Sequence, residues 1–475
     1  MLVMKFGGTS VECADSIRRV ARIVGERLSS HPVVIVSALA RVTDQLQSLG
    51  SLSKAGYKDQ ALLLAEGIEK RHAEVARQLL GSKAVDFLDR MSPSFQDLRS
   101  LVAAISAIRE LTPRTADRLL SFGERWSSCL VTEALREHQL PAVLVEAGRV
   151  VVTDAEHSQA VPRMERIEAR AHSEVLPLLA DGSVPIMGGF IGATEDGVPT
   201  TLGRGGSDYT ASLIGAALQA ERIEIWTDVD GMMTTDPRIC PDAQNIDSIS
   251  FEEAAELAHF GAKVLHPKTL QPAVERGIPV YVLNSRHPEN RGTRVEIGAS
   301  SDESRVRSIA CKRGIVLAEV FAKQGLDAKL TSSIFSAMEE QKCLIDLAAM
   351  SRSNLSLLLT SQDSVSVLSD SLDGVANVKT TAGVALVSLV GRNVARDPVI
   401  SACALSALSG LPVKMIFHGA SDMNLSFVIE ERDAEEAVRR MHRVMFPPTP
   451  CKKSAQELLS ASNLPFAAAL NVVEA

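Results

Sequence analysis

Across residues 1–300 the chain alternates short apolar runs with helical stretches, and this alternation restricts the fold more than any other feature. Candidate strands are Leu2–Phe6, Val33–Val36, Ala142–Glu146, Val184–Phe190, Arg222–Trp226 and Val280–Asn284. Helical patterns lie between them, as in Ser16–Leu28, Ala116–Glu137, Ser207–Ala220 and Phe251–Phe260, and residues 58–110 also read as helix. Strands separated by helices pair in parallel, so an α/β/α sandwich with a mainly parallel sheet is expected. A length of 475 residues exceeds a single core. The texture changes at the polar stretch 298–307, which reads as a linker. Beyond it come two strand–helix–strand units, about 314–372 and 384–446, that form a weak internal duplication. Tandem α+β modules of this size serve regulation, or act as a structural or dimerising extension. Residues 447–475 open on PPTP, which stops the preceding helix and leaves a tail.

Composition removes several classes of function. Net charge is −8 with no long basic stripe, which argues against nucleic acid. Apolar runs fall short of the ~18 residues of a membrane span. The N-terminus reads as a strand rather than a signal peptide. The seven cysteines are scattered without a CxxC pair, which points away from disulfides or zinc and toward a reducing cytoplasm.

The chemistry concentrates in five segments. MLVMKFGGTS, residues 1–10, runs a strand into Lys5, Gly7 and Gly8. A cation and bare backbone at a strand end suit a phosphate, with an ordinary glycine turn as the alternative. Thr9 and Ser10 add hydroxyls that would cap a following helix. TTLGRGGSDYTASL, residues 200–213, is a glycine loop opening a helix, with Arg204 placed to clamp a carboxylate. It lacks the order of a Walker A loop. EIWTDVDGMMTTDPR, residues 224–238, sets Thr227 and Asp228 at a strand's C-terminal edge, where open α/β sheets bind ligands. Asp228 and Asp230 also suit a turn. FGAKVLHP, residues 260–267, places Lys263 after a helix-ending glycine, and SFGER, residues 121–125, puts Glu124 on a helix as a partner for an ammonium group or as a solvated carboxylate. Fixed cations, glycine donors and a few carboxylates, without a Ser–His–Asp set or clustered metal ligands, suit phosphoryl transfer. A carboxylate acceptor needs no general base, because its pKa of about 3.9 leaves it ionised.

These motifs, KFGGTSV, TLGRGGSDYTA, WTDVDG, TTDPR and FGAKVLHPKTL, resemble aspartate kinase in content, order and spacing over residues 1–446. The similarity is to the lysine-sensitive single-function type, with no homoserine dehydrogenase domain expected after Ala475. The resemblance implies an amino acid kinase domain at 1–298, a linker and strand at 299–313, and ACT-like, ferredoxin-like modules at 314–380 and 381–446, with a tail at 447–475. It implies transfer of the ATP γ-phosphoryl group, with Mg²⁺, to the β-carboxylate of L-aspartate, the first step toward lysine, threonine, methionine and diaminopimelate. It implies catalytic roles for Lys5, Arg204 and Asp208, and aspartate contacts for Thr43, Glu124 and Arg204. It puts Lys5, Phe6, Gly7, Gly8, Thr227, Asp228, Met233, Arg238, Lys263 and Val264 at the nucleotide, leaves direct metal ligands unassigned, and implies a lysine or threonine effector and a homodimer or higher homo-oligomer through the ACT modules.

Four departures stand out. Residues 37–44 read SALARVTD, with Arg41 and Asp44 where the family has a small glycine-containing loop. Met233 replaces an aromatic residue. DLAAMSRSNLS, residues 346–356, replaces an ITTSEVS-like run, and Lys329 stands where an apolar residue is common. Two other readings stay open: a kinase with another acceptor, such as a glutamate-type acid or UMP, or a non-catalytic amino-acid-sensing subunit.

Overall fold

The computed structural model describes residues 1–261, 267–298, 305–323, 325–340, 343, 345–360, 372, 376–419 and 421–447. The described residues of 1–232, 245–255 and 263–299 form one unit, and those of 233–244, 256–262 and 300–475 a second.

The first unit is built on an eight-stranded sheet ordered β3-β4-β2-β1-β7-β9-β10-β8. Its strands are β1 (Leu2–Phe6), β2 (Pro32–Val36), β3 (Ala142–Leu144), β4 (Val184–Gly188), β7 (Arg222–Thr227), β8 (Ser248–Ser250), β9 (Val280–Asn284) and β10 (Thr293–Glu296). Pairing is parallel from β3 through β9, and β10 runs antiparallel to β9. All five residues of β1 and of β2 are buried. A strand covered on both faces is apolar throughout rather than alternating, which is why these runs stand out in the sequence. The helices α1 (Ala14–Gly25), α2 (Val42–Lys54), α3 (Lys58–Leu80), α4 (Ala84–Ile108) and α5 (Pro113–Glu137) follow. α5 starts cleanly because Thr112 accepts a hydrogen bond from the Thr115 N–H at 3.2 Å and Pro113 takes the first helical position. No helix among the described residues is long and apolar enough to cross a membrane.

Three local expectations are corrected. The run through Phe190 is not one strand: β4 stops at Gly188, Phe190 turns at φ +64°, and a hairpin of β5 (Ile191–Ala193) and β6 (Pro199–Thr201) follows. The Thr210 hydroxyl holds that turn by accepting the Phe190 N–H at 3.0 Å. Ser10 does not cap a helix: α1 begins at Ala14, and the Ser10 hydroxyl meets Ser285 Oγ at 2.8 Å and Trp226 O at 3.3 Å. Finally, 305–307 are not free linker, since the Arg305 and Arg307 N–H groups donate to Arg392 O and Val390 O.

His72 on α3 lies buried against Trp126 of α5, at 5.2 Å between ring centroids. Its Nδ1 meets Ile68 O at 2.7 Å, and Nε2 has no partner among the described residues. Burial pushes its pKa down to about 4, from 6.5. As pH falls below 6.5 the unfolded chain takes up a proton that the folded one refuses, so stability drops across the window from 6.5 to about 4. Going from pH 7 to 5 is expected to cost about 2 kcal/mol through this group. Urea unfolding of wild type and His72→Gln at both pH values checks it; the variant should lose less.

The second unit carries one antiparallel six-stranded sheet, ordered β12-β13-β11-β14-β16-β15. Its strands are β11 (Ser308–Ala322), β12 (Ile345–Met350), β13 (Asn354–Leu359), β14 (Ala376–Val390), β15 (Val413–His418) and β16 (Asn424–Glu430), with helices Ala328–Glu340, Pro398–Ala407 and Ala434–Met445. The two repeats share the sheet, because β11 pairs with β14 from Ser308–Val390 to Ala322–Ala376. Each repeat keeps its own core, one around Val320, Ile334 and Leu357, the other around Val387, Phe427 and Val438. The segment 233–244 belongs to this unit. Ile239 joins the second core, Thr234 Oγ1 meets His442 Nε2 at 2.9 Å, and the Ile309 N–H donates to Thr234 O at 2.8 Å.

Candidate active site

β1 lies beside β2 and β7, so its C-terminal end opens between their loops. Lys5, 9% exposed, extends from this strand to Asp208, with Nζ 2.7 Å from Oδ1. The contact is a close pairing of charges rather than a well-aligned hydrogen bond. The ammonium lies 3.6 Å from where a Gly7 side chain would begin, which leaves its head beside bare backbone. The Gly7 N–H is committed to Trp226 O at 3.0 Å. The backbone donors without an acceptor among the described residues are therefore those of Gly8 and Thr9 rather than Gly7. Gly8 is closely packed: a Cβ there would sit 3.0 Å from Ala38 O and 3.3 Å from Ala40 Cα, so a larger residue would push on that backbone.

Asp208 stands in the first turn of the helix Gly206–Ala217. The preceding loop needs its glycines, with Gly203 at φ +76° and Gly205 at φ +72°. The loop packs tightly on the end of β4, where a Cβ on Gly189 would meet Ser207 at 2.7 Å. One residue earlier, a Cβ on Gly188 would meet Glu124 at 3.1 Å. Glu124 on α5 is 3% exposed and accepts the Ala38 N–H at 3.2 Å through Oε1. These contacts close a ring that runs from Lys5 to Asp208, Ser207, Gly189, Gly188, Glu124, Ala38 and Gly8. A cation, two carboxyl groups and bare backbone are thereby linked in one chain of close contacts.

Glu124 is the electrostatic anomaly of this ring. Its Oε2 is buried without a partner among the described residues. Burial pushes its pKa up to about 8, against a smaller opposing pull from the Ala38 hydrogen bond. A buried carboxyl oxygen left open calls for a cationic partner. Arg204, in the adjacent loop, is exposed and makes no ion pair among the described residues. Among those residues no group of three or more His, Cys, Asp or Glu side chains could hold a metal ion.

Residues 1–284 match the amino acid kinase family, and residues 387–445 match the ACT domain. The chain is 35% identical over 457 residues to lysine-sensitive aspartokinase 3 of Escherichia coli, covering 94% of this chain and 99% of that protein. The chain belongs to the aspartokinase family. It is also 33% identical over 465 residues to the chloroplastic aspartokinase 1 of Arabidopsis thaliana, covering 94% of this chain and 80% of that one. Among solved structures it is similar to E. coli aspartokinase III in complex with lysine and aspartate, at a TM-score of 0.81 and 32% identity over 94% of this chain and 99% of that one. The same enzyme with aspartate and ADP gives a TM-score of 0.78, with 93% and 99% covered.

The other residues expected at the site of this aspartokinase fall as follows. Thr43 is half-buried in the first turn of α2 and has no hydrogen-bond partner among the described residues. Arg41 precedes it at φ +68°, the left-handed backbone that a glycine in this loop would take without strain. Arg41 and Asp44 are both exposed. Phe6 is fully buried and stacks on Trp226 at 5.9 Å, so its side chain is core and only its backbone reaches the strand end. Thr227 ends β7, where its carbonyl accepts the Ser285 N–H at 2.8 Å, and exposed Asp228 accepts the Thr227 hydroxyl at 3.3 Å. Asp230 proves to be a loop organiser, accepting from Asn284 at 2.7 Å and Asn290 at 2.9 Å. Met233 and Arg238 lie in the second unit. The Met233 carbonyl accepts the Ser308 hydroxyl, and exposed Arg238 pairs with Asp236 at 2.7 Å. Lys263 and Val264 lie outside the described residues.

Arg71 carries no motif signal, yet it secures the loop above Glu124. Its guanidinium donates to Ala40 O at 2.7 Å and to Glu12 O at 3.2 Å. Only the fold brings α3 beside that loop.

Proposed function

We propose that this aspartokinase transfers the γ-phosphoryl group of ATP, bound as its magnesium complex, to the β-carboxylate of L-aspartate, giving 4-phospho-L-aspartate and ADP. The carrying observation is Glu124, an open buried carboxyl oxygen in the same ring as the Lys5 cation. An α-amino acid supplies the ammonium that Glu124 lacks. Arg204, uncommitted and in the adjoining loop, takes the α-carboxylate bidentately. The β-carboxylate is then left toward Lys5 and attacks without a general base, being ionised at neutral pH. Lys5 lowers the repulsion between this anion and the polyphosphate, and Asp208 holds the ammonium in place. The Gly8 and Thr9 N–H groups add donors for the phosphoryl oxygens, aimed at charge that grows during transfer. Thr43 contacts aspartate from the first turn of α2, and Thr227 and Asp228 contact the nucleotide. Magnesium would enter with the nucleotide and would offset the charge of its phosphates, with no side chain of this chain assigned as its ligand.

ADP formation across a panel of aspartate, glutamate, N-acetylglutamate and UMP tests this reading. Aspartate should exceed every other acceptor in kcat/KM by about tenfold or more; equal or better turnover of another acceptor overturns it.

The ACT modules bind an amino-acid effector, with lysine the first candidate because the E. coli relative is lysine-sensitive. Lys329 is exposed on the helix Ala328–Glu340, so its charge can be solvated away from a ligand ammonium. Rates with lysine and threonine, separately and together, decide this, and no response to either contradicts it. We place the enzyme in the cytoplasm as a homodimer formed through these modules, where Met350 on β12 and Ile416 on β15 are exposed on the edge strands. Light scattering reads the mass.

A further inference from the structure

We propose that Asp117 is a positioning residue that sets where Arg204 stands relative to Glu124, and so tunes the enzyme's grip on the α-ammonium and α-carboxylate of its substrate. This rests on the aspartate-binding roles given above to Arg204 and Glu124. α5 carries both Asp117, fully buried, and Glu124, 3% exposed. Seven residues make about two helical turns, so both carboxyls share one face, roughly 10 Å apart along the axis. Their surroundings differ sharply. Glu124 keeps an open oxygen, whereas Asp117 is saturated with donors from outside the helix. Its two oxygens share the Ser158 N–H at 3.1 and 3.0 Å, Oδ2 accepts His157 Nδ1 at 2.7 Å, and Oδ1 accepts the Thr201 hydroxyl at 2.5 Å. Buried carboxylates persist when donors satisfy them in this way.

These donors come from the two stretches that frame the Arg204 loop. Thr201 ends β6, three residues before Arg204. Its carbonyl accepts the Ala160 N–H at 2.9 Å, and Thr200 bonds Thr153 at 2.7 Å. Gly203, between Thr201 and Arg204, runs so close to Ser158 that a Cβ there would sit 3.3 Å from the Ser158 carbonyl. Asp117 thus pins both the stem of the loop and the segment it rests on. Arg204 has no ion pair of its own among the described residues, so it inherits its position from that stem. A substrate whose α-ammonium meets Glu124 and whose α-carboxylate meets Arg204 carries both on one carbon, so the two residues must stand at one fixed spacing, and Asp117 holds the Arg204 end of it.

The test uses the full chain and the pair Thr201→Val and Thr201→Ser. The valine keeps the shape and loses the hydroxyl; the serine restores it. KM for aspartate should rise about tenfold in Thr201→Val, with kcat and KM for ATP within about twofold, and return to normal in Thr201→Ser. Asp117→Asn should raise KM for aspartate in the same way. If Asp117→Asn does not fold, the threonine pair decides alone. An unchanged KM for aspartate in Thr201→Val, a parallel fall in every parameter, or no rescue by serine overturns the proposal. Arg204→Ala run alongside separates the two levels. If it raises KM for aspartate while Thr201→Val is silent, only the positioning role of Asp117 is lost. If Arg204→Ala leaves that KM unchanged, the reading of Arg204 itself is wrong.

Discussion

Lys5→Ala is expected to lower kcat by on the order of 10²- to 10³-fold, the usual cost of removing one charged donor from a transition state. KM for aspartate should move by less than about threefold, since Glu124 and Arg204 carry the recognition of the amino acid while Lys5 acts mainly on the charge that develops during transfer. The reason for so large an effect is placement. Lys5 is held on a strand buried on both faces, 9% exposed, with Asp208 2.7 Å from its ammonium. Its charge is therefore pre-aimed and poorly screened, and little reorganisation is needed when negative charge develops. The variant also leaves Asp208 without its cation, so thermal melts should accompany the rates. Turnover within about threefold of wild type, in a folded variant, contradicts the role assigned to Lys5.

Glu124→Gln should produce the second large effect, and it acts in two directions. In the ligand-free protein burial holds the carboxyl proton up to a pKa of about 8, against 4.5 in the unfolded chain. Between those values the unfolded chain releases a proton that the folded one keeps, so the group costs stability increasingly as pH rises from 4.5 toward 8. At pH 7 this cost is on the order of 3 kcal/mol. Glutamine escapes it but leaves an amide without its full set of partners, so a net stabilisation of about 1–2 kcal/mol is expected. Function moves the opposite way. An ammonium beside Oε2 favours the ionised carboxylate, so aspartate binding at pH 7 should release close to one proton. The glutamine variant should bind aspartate on the order of 10²-fold more weakly and release none. Calorimetry in two buffers of different ionisation heat reads both quantities. A variant that is destabilised, or a wild type that binds aspartate without proton release, contradicts this account of Glu124.

Legibility from sequence follows burial. β1, β2, β7 and β9 are dominated by buried apolar residues because both faces of the sheet are covered, and they read correctly to within a residue or two. Very short or half-exposed strands did not. β8 has three residues and β10 four, too short for a period, while β12 and β15 mix exposed and half-buried positions. Lys5 and the loop from Gly203 to Asp208 stood out because each sets a cation beside glycines, and the structure brings the two segments together at Lys5 and Asp208. Glu124 was not distinctive, since a helix carboxylate looks solvated until the fold places Gly188 and Ala38 against it. Asp117 gave only a faint sign, a second carboxylate seven residues earlier on the same helix face. Segment 233–244 reads as part of a nucleotide motif, yet its Thr234 and Ile239 are held by His442 and the second core. That partner lies about two hundred residues downstream, where no local pattern reaches.

The most direct measurement is hydroxylamine trapping of the acyl phosphate, with the hydroxamate isomer identified by mass spectrometry and NMR. If Glu124 holds the ammonium, Arg204 the α-carboxylate and Lys5 the reacting end, the wild-type enzyme with ATP and L-aspartate yields the β-hydroxamate alone, and Lys5→Ala yields almost none. An α-hydroxamate, no hydroxamate despite ADP formation, or an undiminished yield from Lys5→Ala contradicts the account.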